Sequence, residues 1–194
     1  MAPMCPGQGP PGPPVCLRRA TVADIDGIAE LHADSWRRNY RGAFADSFLD
    51  GDLPAERRAV WTERLTHPGP ADHTLVATVG DGGAGAVVGL AHTIVDTHPQ
   101  WGALVDNLHV RHYLKGLGIG RRLVVATAEI VVAHDPASGM YVEVLDQNTT
   151  AHAFYVRLGA IHAYTGPVDL PGGTRSTYRV YRWPTPAAVL PRPG

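Results

Sequence analysis

Leu108-His109-Val110-Arg111-His112-Tyr113-Leu114-Lys115-Gly116-Leu117-Gly118-Ile119-Gly120-Arg121-Arg122-Leu123 is where the chain changes period. Residues 103–110 read as a strand, with Leu104, Asp106, Leu108 and Val110 on one face. From Ile119 the apolar residues Leu123, Ala126, Ile130 and Val131 recur at helical spacing until Asp135-Pro136 stops them. Between the two lie Gly116, Gly118 and Gly120. A strand-to-helix turn leaves backbone N–H groups unpaired, and the helix dipole adds its positive end to them. Glycines let a ligand come close to such a backbone. The turn therefore reads either as a cradle for a phosphate or pyrophosphate, or as a turn that is merely tight.

Two common phosphate motifs do not fit. A dinucleotide fingerprint needs a third glycine that the chain replaces with Arg121 or Leu123, depending on where the count begins. A P-loop needs Gly-Lys-Ser/Thr, and Gly120 is followed by Arg121-Arg122. Cations in a first helical turn oppose the dipole, so these arginines either serve an anion or point into water.

Outward from this turn, a strand near 16–20 precedes a helix started by Thr21 and Asp24, with Ile25, Ile28, Leu31, His32 and Trp36 at helical spacing. A second helix spans about 54–65, with Pro54 in its first turn. Strands at 73–79 and 86–95 flank the turn residues Asp81-Gly82-Gly83. After the long helix come a strand at 140–145, a helix at 149–158 closed by Gly159, and strands at 160–164 and 174–182. The expected class is α/β in the α+β sense: a mixed, mostly antiparallel sheet of six to seven strands with four helices. There are too few alternating units for a doubly wound sheet.

Composition sets the limits. The 194 residues hold 17 Lys plus Arg against 18 Asp plus Glu, a net charge of −1, which argues against bulk-charge binding to nucleic acid or anionic membrane. No uncharged apolar run reaches the ~18 residues of a membrane span. Of 17 prolines, six lie in residues 1–16 and four after Trp183. Both ends, 1–16 and 184–194, therefore read as tails around one domain over 17–183. No secretory signal is legible at the start, and a cytoplasmic protein is expected. Cys5 and Cys16 lack zinc or redox spacing; they read as two reduced thiols, a tail disulfide being the other possibility. No metal is expected: His109 and His112 straddle a strand end and share no helix face.

The glycine stretch resembles the acetyl-CoA loop of the GNAT-type N-acetyltransferase superfamily, Gln/Arg-x-x-Gly-x-Gly/Ala. Gly118 and Gly120 match, and Lys115 stands where Gln or Arg is usual, keeping charge but not the planar fork. A second block is similar to the family's strand–Asn–helix segment: Glu143-Val144-Leu145-Asp146-Gln147-Asn148-Thr149-Thr150-Ala151, then Phe154-Tyr155-Val156-Arg157-Leu158-Gly159-Ala160, with Ala160 replacing the usual aromatic. Leu17 to Thr21, Ser35-Trp36 and Tyr40-Arg41-Gly42 resemble bacterial members.

The resemblance implies a GNAT-like sheet splayed between its fourth and fifth strands, with acetyl-CoA as co-substrate. It places the pantetheine along Leu108, His109 and Val110, the pyrophosphate on the amides of Lys115, Gly116, Leu117, Gly118, Ile119, Gly120 and Arg121, and the arm or a water on Asn148. Tyr155 stands where the family's general acid stands. Glu143 matches a base of the peptide N-terminus branch, with Asp106 and His109 as other candidates. The expected activity is acetyl transfer to a primary amine of a small molecule or peptide by direct attack; the alternative is a non-catalytic acyl-CoA sensor. Trp36, Tyr40, Arg41 and Tyr164 are the expected acceptor walls, and the protein is expected to act as a monomer or homodimer.

Overall fold

The computed structural model describes residues 14–80 and 85–190. The turn read at Asp81-Gly82-Gly83, Cys5 with the rest of the N-terminal tail through residue 13, and the last four residues lie outside the described residues.

One seven-stranded sheet runs β1-β2-β3-β4-β5-β7-β6. β1 (Val15–Arg19), β2 (Asp72–Val79), β3 (Ala86–His98) and β4 (Gly102–Val110) pair antiparallel in sequence order. β5 (Met140–Leu145) joins β4 in parallel, and β7 (Arg175–Trp183) lies antiparallel between β5 and β6 (Ile161–Asp169). The helices are α1 (Ile25–Asn39), a one-turn α2 (Asp46–Leu49), α3 (Leu53–Thr66), α4 (Ile119–His134) and α5 (Thr149–Arg157). α1 and α3 cover one face, where Ile28, Leu31 and Trp61 pack on Val76 and Leu90. α4 and α5 cover the other, where Ile119 and Leu123 meet Leu75 and Ala91, and Val124, Ala128 and Val131 meet Met140 and Val142. Each large aliphatic buried this way contributes about 1.5–3 kcal/mol.

The feature that positions the site is where pairing stops. β4 and β5 are in register only at Ala103↔Met140 and Leu104↔Tyr141. Beyond these two pairs, β4 continues to Val110 and β5 to Leu145 without meeting. β5 keeps its antiparallel bonds to β7 over its whole length, so the splay leaves a cleft between β4 and β5 while the rest of the sheet stays closed.

Three readings need correction. β4 does not hold Leu104, Asp106, Leu108 and Val110 on one face. The register with β3 steps from Thr93↔Val105 to His92↔Asn107, leaving Asp106 as the extra residue of a bulge. Ala103 and Val105 therefore face α4, and after the bulge Leu108 and Val110 face it too. At the N-terminal boundary, β1 begins at Val15, so Val15 and Cys16 belong to the sheet. Cys16 is buried and disulfide-bonded, not the reduced thiol expected. Beyond Trp183 the chain does not leave the body at once: a 3-10 turn at Pro186–Val189 places Val189 in the core beside α4, with Leu190 packed on it. The helix start holds as read: Thr21 is the N-cap, Asp24 accepts from its N–H at 2.8 Å to complete a capping box, and a 3-10 turn (Val22–Asp24) leads into α1. Arg18 clamps the Asp24 carboxylate at 2.7 Å through two nitrogens.

Candidate active site

Gly116 (φ +86°) and Gly118 (φ +78°) both occupy the left-handed region, and a Cβ on either would meet nothing within 4 Å. These glycines are needed for backbone conformation, not for space. Gly118 is the N-cap of α4 and no side chain caps the helix start, so the first-turn amides remain available to an anion. Gly120 is different: its Cβ would lie 3.2 Å from Phe154 Cζ, so its smallness lets α4 and α5 approach.

Two cavities open on the β4–β5 cleft. The first, about 330 Å³, runs along the glycine turn between α4 and α5. Leu108, Val110, Ile119 and Phe154 give it an apolar wall, and Lys115, Arg121 and Arg157 rim it. Gly116, Gly118 and Gly120 line it. Leu117 does not; it is 58% exposed. Arg122 turns away to donate to Val15 O of β1 at 3.0 Å, which resolves one of the two basic residues as structural. An apolar trough ending at uncapped amides and cations fits an extended thiol-bearing arm followed by a diphosphate.

The second cavity, about 560 Å³, lies beneath α1 and α3. Trp36 and Tyr40 line it, as read from the sequence. Arg41 and Tyr164 do not: Arg41 is held outside by Asp46 and Asp50, and the Tyr164 ring lies tilted beside those of Tyr178 and Trp101. Phe44 takes their place, stacked on Trp36 with centroids 5.0 Å apart. Arg57 lies 4.2 Å over the same Trp36 ring.

Leu108, Val110, Lys115, Thr150 and Tyr155 line both cavities. Tyr155, on α5, is almost fully buried against Phe154 and Trp183. Burial, with nearby Tyr40 adding to it, pushes its phenol well above the usual value, so it stays protonated at neutral pH. A protonated phenol is a donor, as a general acid must be. Asn148 lines the second cavity and caps α5, its Oδ1 accepting from Ala151 N at 3.2 Å.

Glu143 alternates with buried Val142 and Val144 and so faces α1 and α3. Two residues beyond the last β4–β5 pair on each strand, Asp106 and Glu143 stand across the opening. Burial and then the Asp106 charge raise the Glu143 carboxyl, which suits a proton acceptor. Arg64 of α3 holds Asp106 at 2.8 Å. The side chain of His109 leaves the first cavity and lines the second. There its Nδ1 meets Ser35 Oγ at 2.9 Å, and its ring lies 4.6 Å from that of His32. Burial holds His109 at about 4 and His32 well below the usual imidazole value, so both are neutral. Ser35, Arg57, Arg64 and Thr150 were not singled out for a role from sequence. Ser35 and Arg64 reach the cavity from separate helices, and only the fold brings them together. Among the described residues no group of three His, Cys, Asp or Glu side chains could hold a metal ion. No helix among them is long and apolar enough to cross a membrane.

The sequence profile of the acetyltransferase (GNAT) family matches residues 26–160, which spans β4, the glycine turn and Tyr155. The chain belongs to the GNAT acetyltransferase family. Solved GNAT structures share the fold. The PaiA N-acetyltransferase of Thermoplasma acidophilum, in complex with coenzyme A, aligns with a TM-score of 0.66 at 14% identity, over 87% of this chain and 99% of that one. Arabidopsis thaliana NAA60 with a bisubstrate analogue gives 0.63 at 15% identity, over 87% and 97%. YncA of Salmonella typhimurium with acetyl-CoA gives 0.60 at 19% identity, over 87% and 92%. No curated protein matches the sequence. The expected class holds: a GNAT fold with a mixed seven-stranded sheet and four helices longer than α2, using acetyl-CoA as co-substrate.

Proposed function

We propose that this GNAT acetyltransferase moves the acetyl group to a primary amine of a small molecule or peptide by direct attack. One observation carries the reading: the trough along the glycine turn and the chamber under α1 and α3 meet at a shared wall that contains Tyr155. A donor and an acceptor bound separately would face each other there, which turns a bimolecular encounter into a positioned one.

Acetyl-CoA supplies the acyl thioester. Leu108, His109 and Val110 pair with the pantetheine as an added strand, and their N–H groups polarise the thioester carbonyl. The amides from Lys115 to Arg121 hold the diphosphate. Asn148 keeps α5 in place and offers its amide to the arm. Glu143 takes a proton from the incoming ammonium, since only the neutral amine has a lone pair; Asp106 opposite makes Glu143 a better base by raising its pKa. Tyr155 gives its proton to the departing sulfur. The domain proper runs from β1 through the 3-10 turn after β7.

The test is mass spectrometry of products from acetyl-CoA and a library of amines and peptides. Acetylated amines whose rate of formation falls about 100-fold with Tyr155→Phe are expected. Coenzyme A binding without any acetylated product from the library would refute it.

A further inference from the structure

An alkylammonium must shed two protons to become an amide nitrogen: one before attack, and one as the N–C bond forms. Glu143 accounts for the first. The second needs its own acceptor, and the chamber contains one that the account above does not use.

Asn107 donates through Nδ2 to the Asp106 carboxylate, which Arg64 fixes from α3. The amide oxygen of Asn107 is thereby turned toward His109 Nε2, 3.4 Å away. That nitrogen must carry the imidazole proton, because an oxygen can only accept. The other ring nitrogen, Nδ1, is then a bare lone pair, and Ser35 Oγ at 2.9 Å must donate to it. Asn39 reinforces the arrangement, donating from Nδ2 to Ser35 O at 2.7 Å and to Ser35 Oγ at 3.3 Å. A serine oxygen has two lone pairs. Asn39 takes one, and the other is left for the chamber that Ser35, Asn39 and His109 all line. The bulge at Asp106 is what makes this possible, since it turns His109 to the α1 side while Leu108 and Val110 line the trough.

The geometry points to a proton relay in which Ser35 Oγ receives the proton released by the attacking amine while passing its own proton to His109 Nδ1. The N–C bond forms as the C–S bond breaks, the sulfur takes the Tyr155 proton, and the nitrogen's proton ends on His109. The His109 proton then returns to the Tyr155 oxygen through solvent, and no oxidant or further reactant is needed. Burial opposes the cation of the imidazole most, Asp106 favours it, Lys115 and Arg57 oppose it, and the neighbouring His32 ring is neutral. The proton is therefore held briefly and the ring returns to neutral.

This relay rests on the acetyl-transfer reading above, and its test separates the two. In protein with ¹⁵N-labelled histidine, nitrogen-detected NMR at neutral pH should give His109 as the Nε2–H form, assigned by its loss in His109→Gln. Ser35→Ala should move its Nδ1 resonance and Ser35→Thr should restore it. An Nδ1–H or doubly protonated ring overturns the relay. Two small probe acceptors then divide the protons: ethylamine, an ammonium at neutral pH, and hydroxylamine, already neutral. Ser35→Ala and His109→Gln should each lower kcat about 100-fold with both probes, with Kd for acetyl-CoA unchanged and Ser35→Thr retaining most of the rate. Glu143→Gln should lose rate with ethylamine only. Full kcat in folded Ser35→Ala, or an acetyl adduct trapped on Ser35, overturns the proposal. Absence of turnover in the wild type with every amine would instead sink the acetyl-transfer reading, and the tautomer measurement would still decide whether the network exists.

Discussion

Gly118→Ala isolates the backbone's share of coenzyme A binding. Gly118 is at φ +78° with open space where a Cβ would go, so alanine introduces no collision. It introduces only the cost of holding an L-residue in the left-handed region, about 1–2 kcal/mol. The chain can relieve that cost by moving the turn to negative φ, which swings the first-turn amides of α4 away from the diphosphate. Binding coenzyme A must then restore the strained form, so up to the same 1–2 kcal/mol comes out of the affinity. That corresponds to about 5- to 30-fold in Kd. Gly173→Ala is the control: Gly173 has φ +79° and an equally open Cβ position, but it belongs to the turn between β6 and β7. Both variants should lower Tm by similar amounts in thermal denaturation. Only Gly118→Ala should weaken coenzyme A in titration calorimetry. Equal Kd values for the two variants would refute the claim that these amides carry the diphosphate.

Further outcomes follow from the same geometry. Tyr155→Phe should lower kcat about 100-fold with the Kd for acetyl-CoA unchanged, measured by steady-state kinetics and calorimetry. Asp106→Asn should shift the acidic limb of the kcat/KM profile to lower pH, because the Asp106 charge is one of the two causes that raise Glu143. Acid should destabilise the fold. His92, 1% exposed and held at about 4 chiefly by burial, stays neutral while the unfolded chain protonates near 6.5. Stability is thus present above pH ~6.5 and falls as pH drops toward ~4, by about 2–3 kcal/mol from this group. Urea denaturation at stepped pH checks this, and His92→Gln should flatten the slope. Trp61→Ala should cost about 3–5 kcal/mol in the same assay, since Trp61 is fully buried and donates to His32 Nδ1 at 3.0 Å.

What was legible in the sequence was local. Three glycines between a strand and an amphipathic stripe announced the turn, and the second block, with Tyr155, fixed its partner. Periodicity gave α3, α4 and α5 to within a residue or two, and α1 except that its first turn is the 3-10 turn at Val22–Asp24. What was not legible depended on pairing at a distance. The Asp106 bulge exists only because β3 and β4 slip by one residue against each other, and strict alternation therefore misplaced Leu104 relative to Leu108 and Val110. The roles of Ser35, Arg57 and Arg64 depend on α1 and α3 packing over the cleft, which no periodicity encodes. Arg121 and Arg122 looked equivalent, and only the approach of β1 separated the groove residue from the tether. At the C-terminus, proline content outweighed two apolar residues, Val189 and Leu190, that the face beside α4 buries or half-buries.

A crystal structure of the complex with coenzyme A addresses the central claim most directly. The diphosphate should lie on the amides that begin α4, and the sulfur in the β4–β5 cleft within hydrogen-bonding reach of Tyr155 Oη. A diphosphate bound away from Gly118 and Gly120, or a sulfur that Tyr155 cannot reach, would contradict it.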